Sequence, residues 1–190
     1  MDLRERQDEL QVEAAEVLAT FVPVFESVGP VVLTGSYVSR LMSWPEVDVM
    51  VLGGEDYAPR DVMDLLRRVI EVPGVVKLDY SDDRGPRRPT EHLRDERYHV
   101  GIVAEHRTRT WTVDLSIWLR DVHDNLRVWH EELRESITAE ERDAVLWIKD
   151  ACPEYPRLVG GVDVYAAVLE HGVRTPGEFG AWVRERAHPS

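Results

Sequence analysis

The chain is 190 residues long, 43% hydrophobic and 31% charged, and its 36 acidic residues against 23 Lys and Arg give a formal charge of −13. That length suits one ordinary domain with at most a small appendage, and it is enough to bury a core. The charge argues against DNA and broad nucleic-acid binding, because neutralising phosphates needs clustered cations, but one basic pocket is still enough for a nucleoside triphosphate.

No apolar run approaches the ~20 residues of a membrane span, so no membrane partner is expected. The charged, helical opening stretch does not read as a secretory signal. The single cysteine, Cys152, excludes an internal disulfide and a multi-cysteine metal site, in keeping with a reducing cytoplasm.

In chain order, residues 3–27 predict an amphipathic helix with Leu10, Ala14, Val17, Leu18, Phe21 and Val24 on one stripe. Pro23 should stop or kink it. Gly29-Pro30 turns the chain into a strand at Val31, Val32 and Leu33, which Thr34-Gly35-Ser36 breaks. After a short irregular or helical piece, Val47, Val49 and Val51 alternate with Glu46, Asp48 and Met50. Both carboxylates then face the same side of a second strand. Two carboxylates so spaced after a Gly-Ser turn suit a divalent cation that must also hold a phosphate. Hard oxygens bind Mg²⁺, and a tight turn offers N–H groups and a hydroxyl to phosphate oxygens.

Residues 53–56 read as a loop, and Pro59 opens a helix over 60–71. Pro73-Gly74 turns into a third strand, Val75 to Tyr80. Residues 81–97 are polar and carry Arg84, Arg87, Arg88, Arg94 and Arg97. They read either as a solvated loop or as a flap that meets triphosphate or acceptor. Tyr98–Ala104 and Thr110–Leu119 predict a hairpin around residues 105–108, with Asp114 facing away from Val113 and Leu115. Helices are expected at 121–135, at 138–151 behind a Thr138/Glu141 capping box, at 162–171 closed by Gly172, and after Thr175-Pro176. The fold class is α+β: a small mixed sheet with flanking helices over 1–119, then a helical region over 120–190.

Gly35-Ser36, a gap of about ten residues, then Glu46-Val47-Asp48 resembles the signature of the DNA polymerase β-like nucleotidyltransferase superfamily. The run GSY…PEVDVM also resembles the version in cyclic-dinucleotide and oligoadenylate synthases, where the first acid is a glutamate. The resemblance spans roughly residues 30–118. It implies a palm-like core and transfer of a nucleoside monophosphate from an NTP to a hydroxyl, with release of pyrophosphate. Two Mg²⁺ ions would be held by Glu46, Asp48 and a third carboxylate from a neighbouring strand, Asp114, whose other reading is an edge-strand acid facing water. Three such acids should repel one another, leaving the site half-built until Mg²⁺ arrives. Asp114 would serve as a metal ligand and also as the base, two roles the sequence does not separate. Nucleotide contacts are implied for Gly35, Ser36, Arg40 and Lys149. Arg40 stands where many members have glycine, and Lys149 reads alternatively as a surface lysine.

The chain's size is closest to the small antibiotic-modifying members or to minimal ones acting on partner proteins. The leading expectation is a small-molecule acceptor such as an aminoglycoside or lincosamide, drawn to an acidic surface. The alternatives are modification of a protein or tRNA, as in toxin–antitoxin systems, or an inactive fold that binds a partner protein. A homodimer is compatible with the exposed aromatics. His92, His99, His106, His123 and His130 show no metal-ligand spacing and read as surface or satisfied core; Trp129 and Trp147 read as core filler sooner than as stacking platforms.

Overall fold

The computed structural model describes residues 2–90, 95–120, 124–153, 155 and 158–187. Helix α1 spans Leu3–Phe25 and opens on a capping box between Asp2 and Glu5. It buries Leu10, Ala14, Val17, Leu18, Phe21 and Phe25, a stripe set by the 3.6-residue repeat. Pro23 lies inside the last turn and the helix ends two residues later; the missing N–H removes one backbone bond only where the helix is already finishing.

Strand β1 (Val31–Thr34) leads into the short helix α2 (Gly35–Ser39) and then β2 (Glu46–Leu52). Helix α3 (Pro59–Val69) follows, with proline in its first turn. Strand β3 (Val75–Asp82) runs two residues longer than the sequence suggests, because its last residues keep pairing with β4 (Arg97–His106). A 3-10 turn at Gly85–Arg87 sits between them. Strand β5 (Arg109–Trp118) completes the hairpin through a tight Arg107-Thr108 turn, with Arg107 at φ 54°.

The sheet order is β1-β2-β5-β4-β3. Strands β2 and β5 are parallel and every other pair is antiparallel, which makes the sheet mixed. Val47, Val49, Val51, Tyr98, Val100, Ile102, Val113, Leu115 and Ile117 face one side, where they form a core with α1 and α3. Arg109 reaches Glu13 at 2.5 Å and His106 reaches Glu16 at 2.8 Å, pinning the hairpin tip to α1.

Four helices follow: α4 (Asp124–Ser136), α5 (Ala139–Ala151), α6 (Gly161–His171) and α7 (Pro176–Ala187). Helix α5 begins on the Thr138/Glu141 capping box and α6 ends on Gly172 at φ 66°. These helices bury their own cluster, including Leu133, Val145, Ile148, Val164, Val168 and Phe179. Leu41, just past α2, belongs to that cluster and so ties the Gly-Ser turn to the C-terminal helices. Among the described residues no helix is long and apolar enough to cross a membrane.

Candidate active site

With Val47 and Val49 turned into the core, Glu46 and Asp48 stand half-buried on the other face of β2. The parallel register pairs Asp48 with Asp114 and Glu46 with Thr112. Directly paired residues of adjacent strands share a face about 4.8 Å apart, so Asp114 joins the first two acids although 66 residues separate it from Asp48 in sequence. Burial raises Glu46 to about 8, with the charges of Asp48 and Asp114 adding to the effect. Burial and Asp114 raise Asp48 to about 6, against the opposing pull of Lys149 and Arg97.

The turn that introduces α2 lies against this acid. Gly35 has φ 66°, and a Cβ built there would stand 1.8 Å from Asp48 Oδ2. Only glycine fits so close a backbone approach. The Ser36 N–H donates to the Asp48 carboxylate. That donor, which the resemblance assigns to phosphate, is therefore engaged by the acid.

Lys149 is a correction to the surface reading. It is 4% exposed, and its Nζ donates to Ser36 Oγ at 2.9 Å, Tyr165 Oη at 2.8 Å and the Leu41 carbonyl at 3.0 Å. Burial works against its charge, but the Tyr165 and Tyr155 hydroxyls hold its pKa above the ordinary value. Its hydrogen-bond partners are neutral, so a buried ammonium stands beside the Gly-Ser turn.

A cleft of ≈ 280 Å³ opens here, lined by Gly35, Ser36, Glu46, Asp48, Arg97 and Tyr165 among others; Asp114 and Lys149 stand behind this lining, Lys149 touching it through Ser36 and Tyr165 and Asp114 through its register with Asp48. Arg40 is not brought to it. Its φ of 54° closes α2, and it lines a separate cleft with Arg127, Glu131 and Arg134. Of the arginine-rich segment, Arg84 pairs with Asp82 at 2.7 Å and lies over the Tyr98 ring, holding the Asp82 carboxyl well below the usual carboxylate range. Arg97 reaches the cleft and donates to Ser116 Oγ at 2.7 Å. Arg94 lies outside the described residues.

Two of the discounted histidines belong here. His99 Nε2 is 2.8 Å from Asp114 Oδ1. His130 lines the cleft at 8% exposure, and burial with the nearby Lys149 charge lowers its pKa to about 4. His92 and His123 lie outside the described residues. Trp129 and Trp147 are not core filler: they are 39% and 47% exposed, with Trp129 against the Tyr165 ring at 5.7 Å. The hairpin itself was expected, but the two-residue turn at 107–108 that sets its register, and so brings His99 to Asp114, was not. The burial of Lys149 has no local signal either.

The donor chemistry suits a hard dication. Burial first, then the neighbouring carboxylates, holds the pKa values of Glu46 and Asp48 up, so a dication would favour their ionised, hard-oxygen forms. Among the described residues, no three acid, imidazole or thiol groups already converge as a ligand set.

No protein-family model matches the chain, and no curated protein matches its sequence. Among solved structures it is similar to the Cid1 poly(U) polymerase with Mg and 3'-dATP bound: TM-score 0.51, 15% identity, covering 75% of this chain and 41% of that one. It is also similar to the structure of the GLD-2/RNP-8 complex: TM-score 0.50, 11% identity, 99% of this chain and 67% of that one. The chain thus spans less than half the length of the poly(U) polymerase. The likeness shows the fold alone: the α+β class expected from the sequence, a mixed sheet with flanking helices, is shared with these structures.

Proposed function

We propose that this chain is a nucleotidyltransferase that moves a nucleoside monophosphate from an NTP to a hydroxyl of a small-molecule acceptor and releases pyrophosphate. The observation that carries the reading is the register of Asp48 with Asp114, beside Glu46 and beside a buried lysine on the Gly-Ser turn. Glu46, Asp48 and Asp114 would hold two Mg²⁺ ions. Bound there, these supply positive charge to the α-phosphate under attack and lower the pKa of the acceptor hydroxyl.

The rest is done by the chain's own groups. Lys149 brings a cation to the triphosphate at Ser36, where burial makes its attraction stronger than in water. Gly35 leaves the turn open to the β- and γ-phosphates. Asp114, on the β4 side of the acids, accepts the acceptor proton at a carboxylate oxygen or orients the hydroxyl as it loses it. His130 and Tyr165, both buried, line the cleft and would shield the donor from water.

The acceptor class rests on charge and size. One of the similar structures is a poly(U) polymerase, but a net charge of −13 favours a small cationic acceptor over a polynucleotide. The single cysteine suits a reducing cytoplasm as the place of this reaction. The test is pyrophosphate release with Mg²⁺ and each of the four NTPs against aminoglycosides, lincosamides and bulk tRNA. An Asp48→Ala control runs beside them. Release that needs one cationic acceptor and vanishes in the control supports the reading. Release with tRNA alone, or none anywhere, sinks it.

A further inference from the structure

The carboxylate farthest along the sheet is held by a side chain that the reaction above does not use. His99 Nε2 and Asp114 Oδ1 are 2.8 Å apart, and both side chains are only about a third exposed or less, at 27% and 33%. A carboxylate can only accept, so Nε2 is the donor of this bond. The contact is diagonal: the β4–β5 register sets Gly101 opposite Asp114 and His99 opposite Ser116. The residue facing Asp114 directly thus has no side chain with which to hold it. The grip comes from two residues away, within the diagonal reach of a long side chain.

We propose that His99 is a positioning residue for Asp114, fixing one carboxylate oxygen so that the other faces the cation site formed with Glu46 and Asp48. The inference rests on the nucleotidyl-transfer reading and adds to it a partner for the third acid. Electrostatics calls for such a partner. Three carboxylates on one face repel, and an untethered Asp114 would turn toward water. Cation binding would then have to overcome both that repulsion and the side-chain entropy of bringing Asp114 back. A hydrogen bond made beforehand removes the second cost, as outer partners of metal ligands do generally.

The test is Mn²⁺ binding to the full chain by calorimetry, without nucleotide. It compares wild type, His99→Ala, His99→Gln and Asp48→Asn, with thermal melting as the fold control. Glutamine can offer its amide N–H where Nε2 stood. His99→Ala should bind Mn²⁺ about 10- to 100-fold more weakly, and His99→Gln should restore most of the affinity. In turnover, His99→Ala should lower kcat and leave KM for the NTP near wild type, because the triphosphate is gripped by Lys149 and Ser36. If His99→Ala loses its melting transition, His99→Asn, polar but too short to reach, replaces it in the comparison. Mn²⁺ affinity equal to or tighter than wild type in the loss variant, or no rescue by glutamine, overturns the proposal. Asp48→Asn distinguishes the failures. If it loses Mn²⁺ while His99→Ala does not, His99 is dispensable and the nucleotidyl-transfer reading stands. If wild type itself binds no Mn²⁺, both fall.

Discussion

Lys149 Nζ donates to Ser36 Oγ at 2.9 Å, joining the middle of the C-terminal helices to the Gly-Ser turn across 113 residues of sequence. Both ends of the contact are fixed by packing. Leu41 anchors the turn in the helical cluster, and Lys149 is buried on α5 next to Ile148, a member of the same cluster. A buried ammonium whose bonds go to neutral oxygens favours an anion beside it, and a triphosphate on Ser36 would provide one.

Lys149→Met should therefore lower both activity and stability. Losing a charge-assisted contact to phosphate should lower kcat/KM for the NTP by about 10- to 100-fold. Because the fold holds the Lys149 pKa up, and the Leu41 carbonyl loses this donor, the melting temperature should fall, by the equivalent of about 1–3 kcal/mol. Ser36 and Tyr165, whose hydroxyls are 3.4 Å apart, can still pair with each other. Steady-state pyrophosphate release and thermal melting check the two halves. A variant that melts much lower while turning over normally would assign Lys149 a structural role.

The acids make the metal-free protein pH-sensitive in a defined direction. Glu46 rises from 4.5 to about 8 and Asp48 from 3.8 to about 6 on folding. Over that window the folded chain binds more protons than the unfolded one. The associated stability is full below pH ~4 and is lost as pH rises toward 8. In EDTA, wild type should thus lose stability between pH 5 and 8 relative to Glu46→Gln. Mg²⁺, which needs the ionised acids, should raise the melting temperature more at pH 8 than at pH 6. Matching pH slopes for wild type and Glu46→Gln would contradict the coupling.

Gly35→Ala should be severe for its size. The added methyl would stand 1.8 Å from Asp48 Oδ2, and φ 66° strains any other residue. Either the turn or the acid must move. A shift of about 1 Å at such a site can cost ~10²-fold in rate, and the stability loss should be about 1 kcal/mol or more. Activity and melting of this one variant decide it; near-wild-type turnover would mean that the turn can yield without cost.

Arg40→Ala is the contrasting case. Since Arg40 lines a different cleft, kcat/KM for the NTP should stay within about twofold of wild type. A tenfold rise in KM would instead bring Arg40 back as a phosphate contact reached by movement of α2.

Much of the frame was legible in the sequence because it is written in local repeats. Alternation at Glu46–Leu52 put two acids opposite three valines, and the Thr138/Glu141 pair marked the start of α5. The ends were less legible. Strand β3 runs to Asp82 and β4 begins at Arg97 because each residue gains a partner across the sheet, which neither polarity nor proline content reveals.

The sequence by itself determined which side chains are acids, which strand faces they share within one strand, and where the glycine of the turn must be. The tertiary structure decided which of them meet. Asp114 stands beside Asp48 only through the parallel register of β2 and β5, and His99 reaches Asp114 only through the register of the hairpin. Lys149 is drawn inside, and Arg40 left out, by how α5 and α4 dock on α2. Side-chain periodicity is a property of neighbouring residues, whereas register and docking minimise the free energy of the whole packed chain, and no short stretch contains that information.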